Sequence, residues 1–326
     1  MSRVLAGDIG GTKTRLAIAE VAATQVTVER EIAYPSQNFS TFEALLEEFL
    51  IGVEVPAHAA FGIAGPVQGR TVRTTNLPWY IEADVLQHRF GFRECTLLND
   101  LESVAYGLPA LGADDLLTLQ QGRQDARGNA AVIAAGTGLG EAGLYWDGRQ
   151  HHPYATEGGH TSFSPQNDLE MDLLRYLQRL YGHVSWERVV SGMGLPDLYN
   201  FLRGYRASVV PSWLEEEMQT GDASAAISRA ALAESDEICI ETMNIFVQLY
   251  GAEAGNLALK TMSHGGVYVG GGIAPKILPL LQRGTFLEAF LGKGRMRPLL
   301  EAMPVRMILN DRAALFGPAL RATRSE

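Results

Sequence analysis

The chain has 326 residues, a formal net charge of −10 and 46 % hydrophobic residues. That length argues for two globular domains, and an acidic balance without clustered Lys and Arg excludes a phosphate-gripping nucleic-acid binder. No apolar run reaches membrane-spanning length, a strand that starts almost at once argues against a secretory leader, and Cys95 and Cys239 make neither a disulfide framework nor a zinc site.

In chain order, Val4–Ala33 reads as a meander of short strands around the turn Gly7-Asp8-Ile9-Gly10-Gly11-Thr12. Helical spacing covers Thr41–Leu50, with Ser40 or Thr41 as cap and Glu43 in the first turn. Ala57–Ala64 is an apolar strand stopped by Gly65-Pro66, and Gln68–Asn76 alternates like an edge hairpin. Ile81–Arg89 reads as helix, Cys95–Leu98 as a short buried strand, and Leu101–Leu111 as the helix that follows. A second glycine hairpin spans Ala131–Trp146. Asp168–Tyr181 is an amphipathic helix, and Ser185 is placed to cap another over Trp186–Ser191. Ser224–Met262 holds two long helical stretches, the second from about Glu234, in which Gly251 and Gly255 allow close helix packing. Gly265–Val269 is a strand, Pro275 suits the first turn of a helix, Val305–Leu309 is a strand, and Ala313–Arg321 is a final helix that packs back on the first lobe. The expected division is a small α/β lobe of residues 1–110 plus about 311–326 and a large lobe of residues 111–310.

The informative feature is one device used twice: apolar strand, glycine turn, second strand. The second copy carries Gly136-Thr137-Gly138-Leu139-Gly140, and a third glycine cluster, Gly270-Gly271-Gly272, follows a further strand. Glycines let backbone N–H groups approach an anion with no Cβ in the way, and hydroxyls at Thr12, Thr14 and Thr137 add donors. Two such hairpins suggest two lobes gripping a polyphosphate. Two better-known motifs are excluded on context. Gly7 with Lys13-Thr14 has P-loop spacing, but Thr12 replaces its last glycine, and Arg15-Leu16-Ala17-Ile18 alternates like a strand where a P-loop opens a helix. Gly138, Gly140 and Gly143 match the dinucleotide fingerprint, yet a short strand closed by Asp147-Gly148 follows them.

Asn99-Asp100 closes a buried strand, where α/β folds place ligands. By itself Asp100 reads as a helix cap; beside polyphosphate turns it is the carboxylate chosen to orient a hydroxyl and take its proton. In Glu157-Gly158-Gly159-His160 the glycines let Glu157 and His160 point into one cavity suited to sugar hydroxyls, or form a tight turn with a solvated acid. Asp8 either holds Mg²⁺ beside phosphates, through water, or stabilises its turn. Glu187, in the first turn of a helix, sits where an acid is favoured anyway. His151-His152 lacks a third ligand at metal spacing.

Taken in order, these motifs resemble the bacterial ATP-dependent glucokinases of the hexokinase/actin-like superfamily, over nearly the whole chain. Ala64-Gly65-Pro66-Val67, Thr75-Asn76-Leu77-Pro78-Trp79, the run Gly182–Gly192 and Gly270-Gly271-Gly272-Ile273-Ala274-Pro275 extend the likeness. The resemblance implies two ribonuclease-H-like lobes with an active-site cleft between them, and transfer of the ATP γ-phosphoryl group to O6 of glucose. It implies Asp100 as base, with Asn99, Glu157, His160 and Glu187 on the sugar. Gly7, Asp8, Ile9, Gly10, Gly11, Thr12, Thr137 and Gly138 would serve the Mg-ATP phosphates, and Gly271 and Gly272 would lie beside the adenosine. It further implies a cytoplasmic homodimer. Lys13 stands where many members carry Asn, Met193 replaces a usual Pro, and Thr161-Ser162 replaces a frequent Val-Asp. The absence of cysteine between Cys95 and Cys239 excludes the zinc loop of a neighbouring family of sugar kinases and repressors. The alternatives are a kinase for another hexose or an N-acetylhexosamine, and, in a different class, a non-catalytic sugar-binding regulator or actin-like ATPase.

Overall fold

The computed structural model describes residues 1–324. The first lobe opens with β1 (Ser2–Ile9), β2 (Lys13–Ala22) and β3 (Gln25–Pro35), followed by α1 (Phe42–Leu50) and β4 (His58–Ile63). A small antiparallel sheet, β5 (Val67–Gln68), β6 (Thr71–Arg73) and β7 (Tyr80–Glu82), precedes α2 (Ala83–Phe90), β8 (Glu94–Asn99) and α3 (Asp100–Gly107). The main sheet has the order β3-β2-β1-β4-β8, antiparallel through β1–β3 and parallel from β1 to β4 and β8. Because side chains alternate along a strand, β1 feeds two cores. Leu5 and Ile9 join Phe42, Leu45 and Phe49 of α1, while Val4 and Ala6 point to the opposite face.

The second lobe adds β9 (Leu116–Gln120), β10 (Ala130–Ala135), β11 (Leu139–Trp146), β12 (His151–Thr156), α4 (Asp168–Tyr181), α5 (Leu195–Tyr205), α6 (Ser212–Thr220) and α7 (Ala223–Leu232). It continues through α8 (Glu237–Thr261), β13 (Gly266–Gly270), α9 (Leu278–Leu281), α10 (Thr285–Leu291), α11 (Arg297–Glu301) and β14 (Val305–Ile308). Its sheet runs β12-β11-β10-β13-β14-β9. Without β9, this is the first sheet's order again: a three-strand meander, then two parallel strands. The expected ribonuclease-H-like pair of lobes is present, each built on one glycine hairpin.

The last helix, α12 (Ala313–Arg321), returns to the first lobe, where Leu315, Ala319 and Leu320 cover Val4, Ala6, Ala17 and Ala60. It crosses α3 at backbone contact distance. A Cβ on Gly317 would lie 1.7 Å from Ser103 O, and one on Gly107 would lie 2.1 Å from Ala313 O. Residues 325–326 of the expected small-lobe segment lie outside the described residues. In the second lobe, Gly251 and Gly255 bring α8 against the carbonyls of Phe286 and Phe290 on α10, as their spacing suggested. Among the described residues no helix is long and apolar enough to cross a membrane, and both cysteines are buried free thiols.

Several local expectations shift. Thr41, not Ser40, caps α1, its Oγ1 accepting from Ala44 N–H at 3.2 Å. Ile81 lies in β7, because its side chain is drawn into the first-lobe core; the helix begins at Ala83. Trp186–Ser191 is not a helix. Only Trp186–Arg188 turns, as a single 3₁₀ turn, and the Ser185 side chain caps nothing. Strand β9 went unforeseen; it pairs antiparallel with β14 from far away in sequence.

Candidate active site

Both phosphate-type turns lie at the ends of central strands. The register pairs Asp8 with Gly62 and Ile63 with Asn99, so the carboxyl ends of β1, β4 and β8 meet in one row. This row brings Asp8, Asn99 and Asp100 together. In the second lobe the ends of β10 and β13 are adjacent, and Gly271, at φ +86°, packs so closely that a Cβ would be 2.2 Å from Ala135 O. Gly136–Gly138 and Gly271-Gly272 therefore share one rim. Thr12, Lys13 and Thr137 are exposed there. Thr14 is not; its buried hydroxyl bonds Ser36 Oγ at 2.9 Å, so the expectation of a phosphate donor there is corrected. Strand alternation turns Thr14 to the side opposite its neighbours. The segment after Thr14 is strand β2, which excludes the P-loop, and Leu139–Trp146 is strand β11, which excludes the dinucleotide fold.

Helix α3 presents the acid. Asn99, rather than Asp100, is its cap: Asn99 Oδ1 accepts from Leu101 N–H at 3.0 Å and Glu102 N–H at 3.4 Å, and Glu102 reaches back to Asn99 N–H. Asn99 Nδ2 donates to Gly65 O at 3.3 Å, leaving its second N–H for a ligand. Asp100 becomes the first helical residue, partly buried, and Oδ1 accepts from Leu101 N–H at 2.9 Å. Burial pushes its carboxyl up to about 6, with the charges of Asp8 and Glu157 adding to the rise and the Leu101 N–H opposing it. Asp8 is also raised by burial, opposed by Arg15, which lies directly across the hairpin and bonds Asp8 Oδ2 at 3.1 Å.

The Glu157-Gly158-Gly159-His160 turn faces this acid from the second lobe. His160 Nε2 is 3.9 Å from Glu157 Oε2, and its Nδ1 is 3.9 Å from Glu187 Oε1. Glu157 and His160 are 58 % and 61 % exposed at the side chain, whereas Glu187 is 18 % exposed. Glu187 also accepts from Leu139 N–H at 2.9 Å. The glycines here are steric requirements: a Cβ on Gly159 would meet Leu139 O at 2.0 Å. Asp100, Glu157, Glu187 and His160 are thus grouped together, with Gly138 packed against Glu187. A cavity of about 1000 Å³ lies elsewhere, at the outer edge of the first sheet between Arg70, Arg93 and Tyr106, and none of the predicted site residues lines it.

A model of the glucokinase family matches residues 5–325. The chain belongs to the glucokinase family. A glucokinase of Trichormus variabilis is 43 % identical over 341 residues, which span 99 % of this chain and 100 % of that one. The crystal structure of a glucokinase from an Antarctic psychrotroph superposes with a TM-score of 0.87 at 31 % identity, covering 100 % of both chains. A glucokinase from Balamuthia mandrillaris, solved with glucose, shares the fold at a TM-score of 0.83 and 22 % identity, covering 99 % of this chain and 94 % of that one. The two-lobed α/β architecture and the family resemblance carried by the motifs are thus both met.

Around this glucokinase-family site, sequence reading missed two neighbours of its residues and one acid outside it. Arg15 becomes visible as the partner of Asp8 only once the hairpin register is known. The carbonyl of Gly65 holds Asn99. Glu141 is outside the site, buried below Gly158, and looks in sequence like one more residue of a strand. The departure at Met193 also gains a role, since its N–H donates to Thr137 O at 3.2 Å, a bond that proline has no hydrogen to make.

Proposed function

We propose that this glucokinase-family member, an ATP-dependent hexose kinase, transfers the γ-phosphoryl group of ATP to O6 of glucose, with Asp100 as base. The observation that carries the assignment is the partly buried Asp100 carboxyl at the start of α3, near Asp8 of one lobe and Glu157 of the other. The O6 hydroxyl passes its proton to Asp100 as the oxygen bonds to the γ-phosphorus; the bond to the β-γ bridging oxygen breaks and ADP leaves. Asn99, Glu157, His160 and Glu187 would hold sugar hydroxyls, which rewards a correctly matched sugar and penalises one that leaves a polar group unpaired. The turns at Gly7–Thr12 and Thr137-Gly138 offer N–H groups to the phosphates, and Gly271-Gly272 flanks the adenosine.

Asp8 fits a role beside Mg²⁺. Arg15 occupies its Oδ2, leaving Oδ1 to reach the metal through water. Among the described residues no cluster of three or more His, Cys, Asp or Glu is placed to hold a metal ion. When bound, Mg²⁺ would neutralise phosphate charge. Residues 1–110 with about 311–324 would move as one lobe against 111–310, closing on the sugar and excluding water. The family likeness supports a cytoplasmic homodimer.

The test is ADP release from Mg-ATP with and without glucose, mannose, fructose and N-acetylglucosamine, with a chelator arm. Strong stimulation by glucose alone, lost on chelation, is the expected result. Stimulation by another sugar alone would move the substrate, and release indifferent to every sugar would overturn the kinase.

A further inference from the structure

We infer that Glu141 and Glu253 share one proton and that this pair is a positioning device for the sugar-binding turn, a reading that rests on the assignment of Glu157 and His160 to the sugar. The two carboxyl groups face each other between β11 and α8, at 1 % and 0 % exposure. Among the described residues, none donates a hydrogen bond to the buried Glu141 Oε1. Its neighbour is another acceptor, so only a proton between them satisfies both. Glu253 already receives Asn256 Nδ2 at 2.7 Å and Lys260 Nζ at 3.3 Å. Glu253 is therefore the ionised partner and Glu141 carries the proton. Burial and the Glu253 charge hold the Glu141 carboxyl well above the ordinary carboxylate range.

The link to the sugar turn is steric. A Cβ on Gly158 would stand 1.8 Å from Glu141 Oε2, so the carboxyl is the floor on which Gly158 rests. Thr156 extends the link: its hydroxyl donates to Glu141 O at 2.9 Å and accepts from Gly158 N–H at 3.3 Å. With the proton in place the floor is neutral and fixed. Removing it sets two buried like charges against each other, and the exposed turn is the part free to give way.

The other titratable or charged groups around the pair are Lys260 and Tyr250 from α8, Lys293 from the segment after α10, and Glu170 from α4, which reaches it through Lys293. Tyr250 is committed to Ile133 O and Gly270 O, and Lys293 to Ala252 O and Asn256 Oδ1. A cavity of about 600 Å³ lined by Asn256, Lys260 and Lys293 gives solvent a route to the network.

The experiment compares wild type, E141Q and E141A across pH 6–9. An amide at Glu141 donates permanently to Glu253, so E141Q is expected to keep the wild-type KM for glucose at pH 7 and hold it flat to pH 9. Wild-type KM is expected to rise several-fold over the same range, and E141A to raise it about tenfold at pH 7 with kcat within about twofold. An E141Q profile that follows wild type, or a folded E141A with unchanged KM, would overturn the positioning role. Thermal melting without sugar tests the shared proton separately. A carboxyl raised in the fold contributes stability that is lost as pH rises from the ordinary carboxylate range through its raised folded-state value. The wild-type melting temperature is therefore expected to decline relative to E141Q across that window. Parallel melting curves would reject the shared proton, whereas unchanged glucose binding in E157A would reject the sugar-site assignment alone.

Discussion

Leu139 donates its backbone N–H to Glu187 Oε2 at 2.9 Å, which ties the second glycine turn to the carboxylate that lies 3.9 Å from His160. Gly138 packs on the same carboxylate, where a Cβ would come within 2.3 Å of Glu187 Oε2. Gly138→Ala is expected to displace both and to raise KM for ATP and for glucose together, by about tenfold for an overpacking cost of ~1–2 kcal/mol. Glu187→Ala removes the obstacle, so the double variant should be no worse than Glu187→Ala. Steady-state kinetics on the full cycle check this; strictly additive losses would disconnect the two positions.

As the proposed base, Asp100 is expected to set the acid limb of activity. With its carboxyl at about 6, kcat/KM is expected to fall as pH drops through that value, because the base must be ionised to accept the proton. Asp100→Asn should lose about 10²-fold to 10⁴-fold in turnover while calorimetry still registers glucose binding. The same substitution removes a charge that the fold disfavours. The variant should therefore melt higher at pH 8, by the equivalent of about 1–2 kcal/mol after allowance for solvent screening. Near-normal turnover would take the base role away from Asp100.

Glu157 is exposed to the cleft and far from the core, so its loss should leave the fold intact. Glu157→Ala is expected to weaken glucose binding in calorimetry by ~1.5–3 kcal/mol, the worth of a hydrogen bond to a charged group, with the melting curve unchanged. Undiminished affinity would remove it from the sugar site.

The α3–α12 crossing predicts a defect of another kind. Gly317→Ala pushes a methyl into Ser103 O, 1.7 Å away in the undistorted geometry. The helices must part, costing ~1–3 kcal/mol or more, and α3 carries Asp100. A lower melting temperature together with reduced kcat is expected; a lower melting temperature with kcat intact would show that α3 keeps its place independently of α12.

What the sequence disclosed follows from the range of the forces involved. The glycine hairpins, the α8–α10 contact through Gly251 and Gly255, and the strand leading to Asn99 were legible because spacing and glycine content determine them locally. Ile81 and the stretch after Trp186 were misread because helical periodicity there competes with burial in a distant core and with the pull of Glu187 toward Leu139. Strand β9 needs β14 as its partner, and nothing in Leu116–Gln120 announces a strand lying far along the chain. At the site, residue types conveyed the chemistry, but the partnership of Asp8 with Arg15 and of Glu141 with Glu253 appears only when register and helix packing are known.

The return of α12 has a consequence for how the chain is made. The sheet of the first lobe is complete by residue 99, yet the apolar row of Val4, Ala6, Ala17 and Ala60 is covered by Leu315, Ala319 and Leu320. During synthesis that face stays bare while some two hundred residues of the second lobe are added at ~5–20 residues per second. The nascent first lobe is thus a client for whatever shields apolar surface near the ribosome, and truncation before residue 313 leaves that surface permanently open.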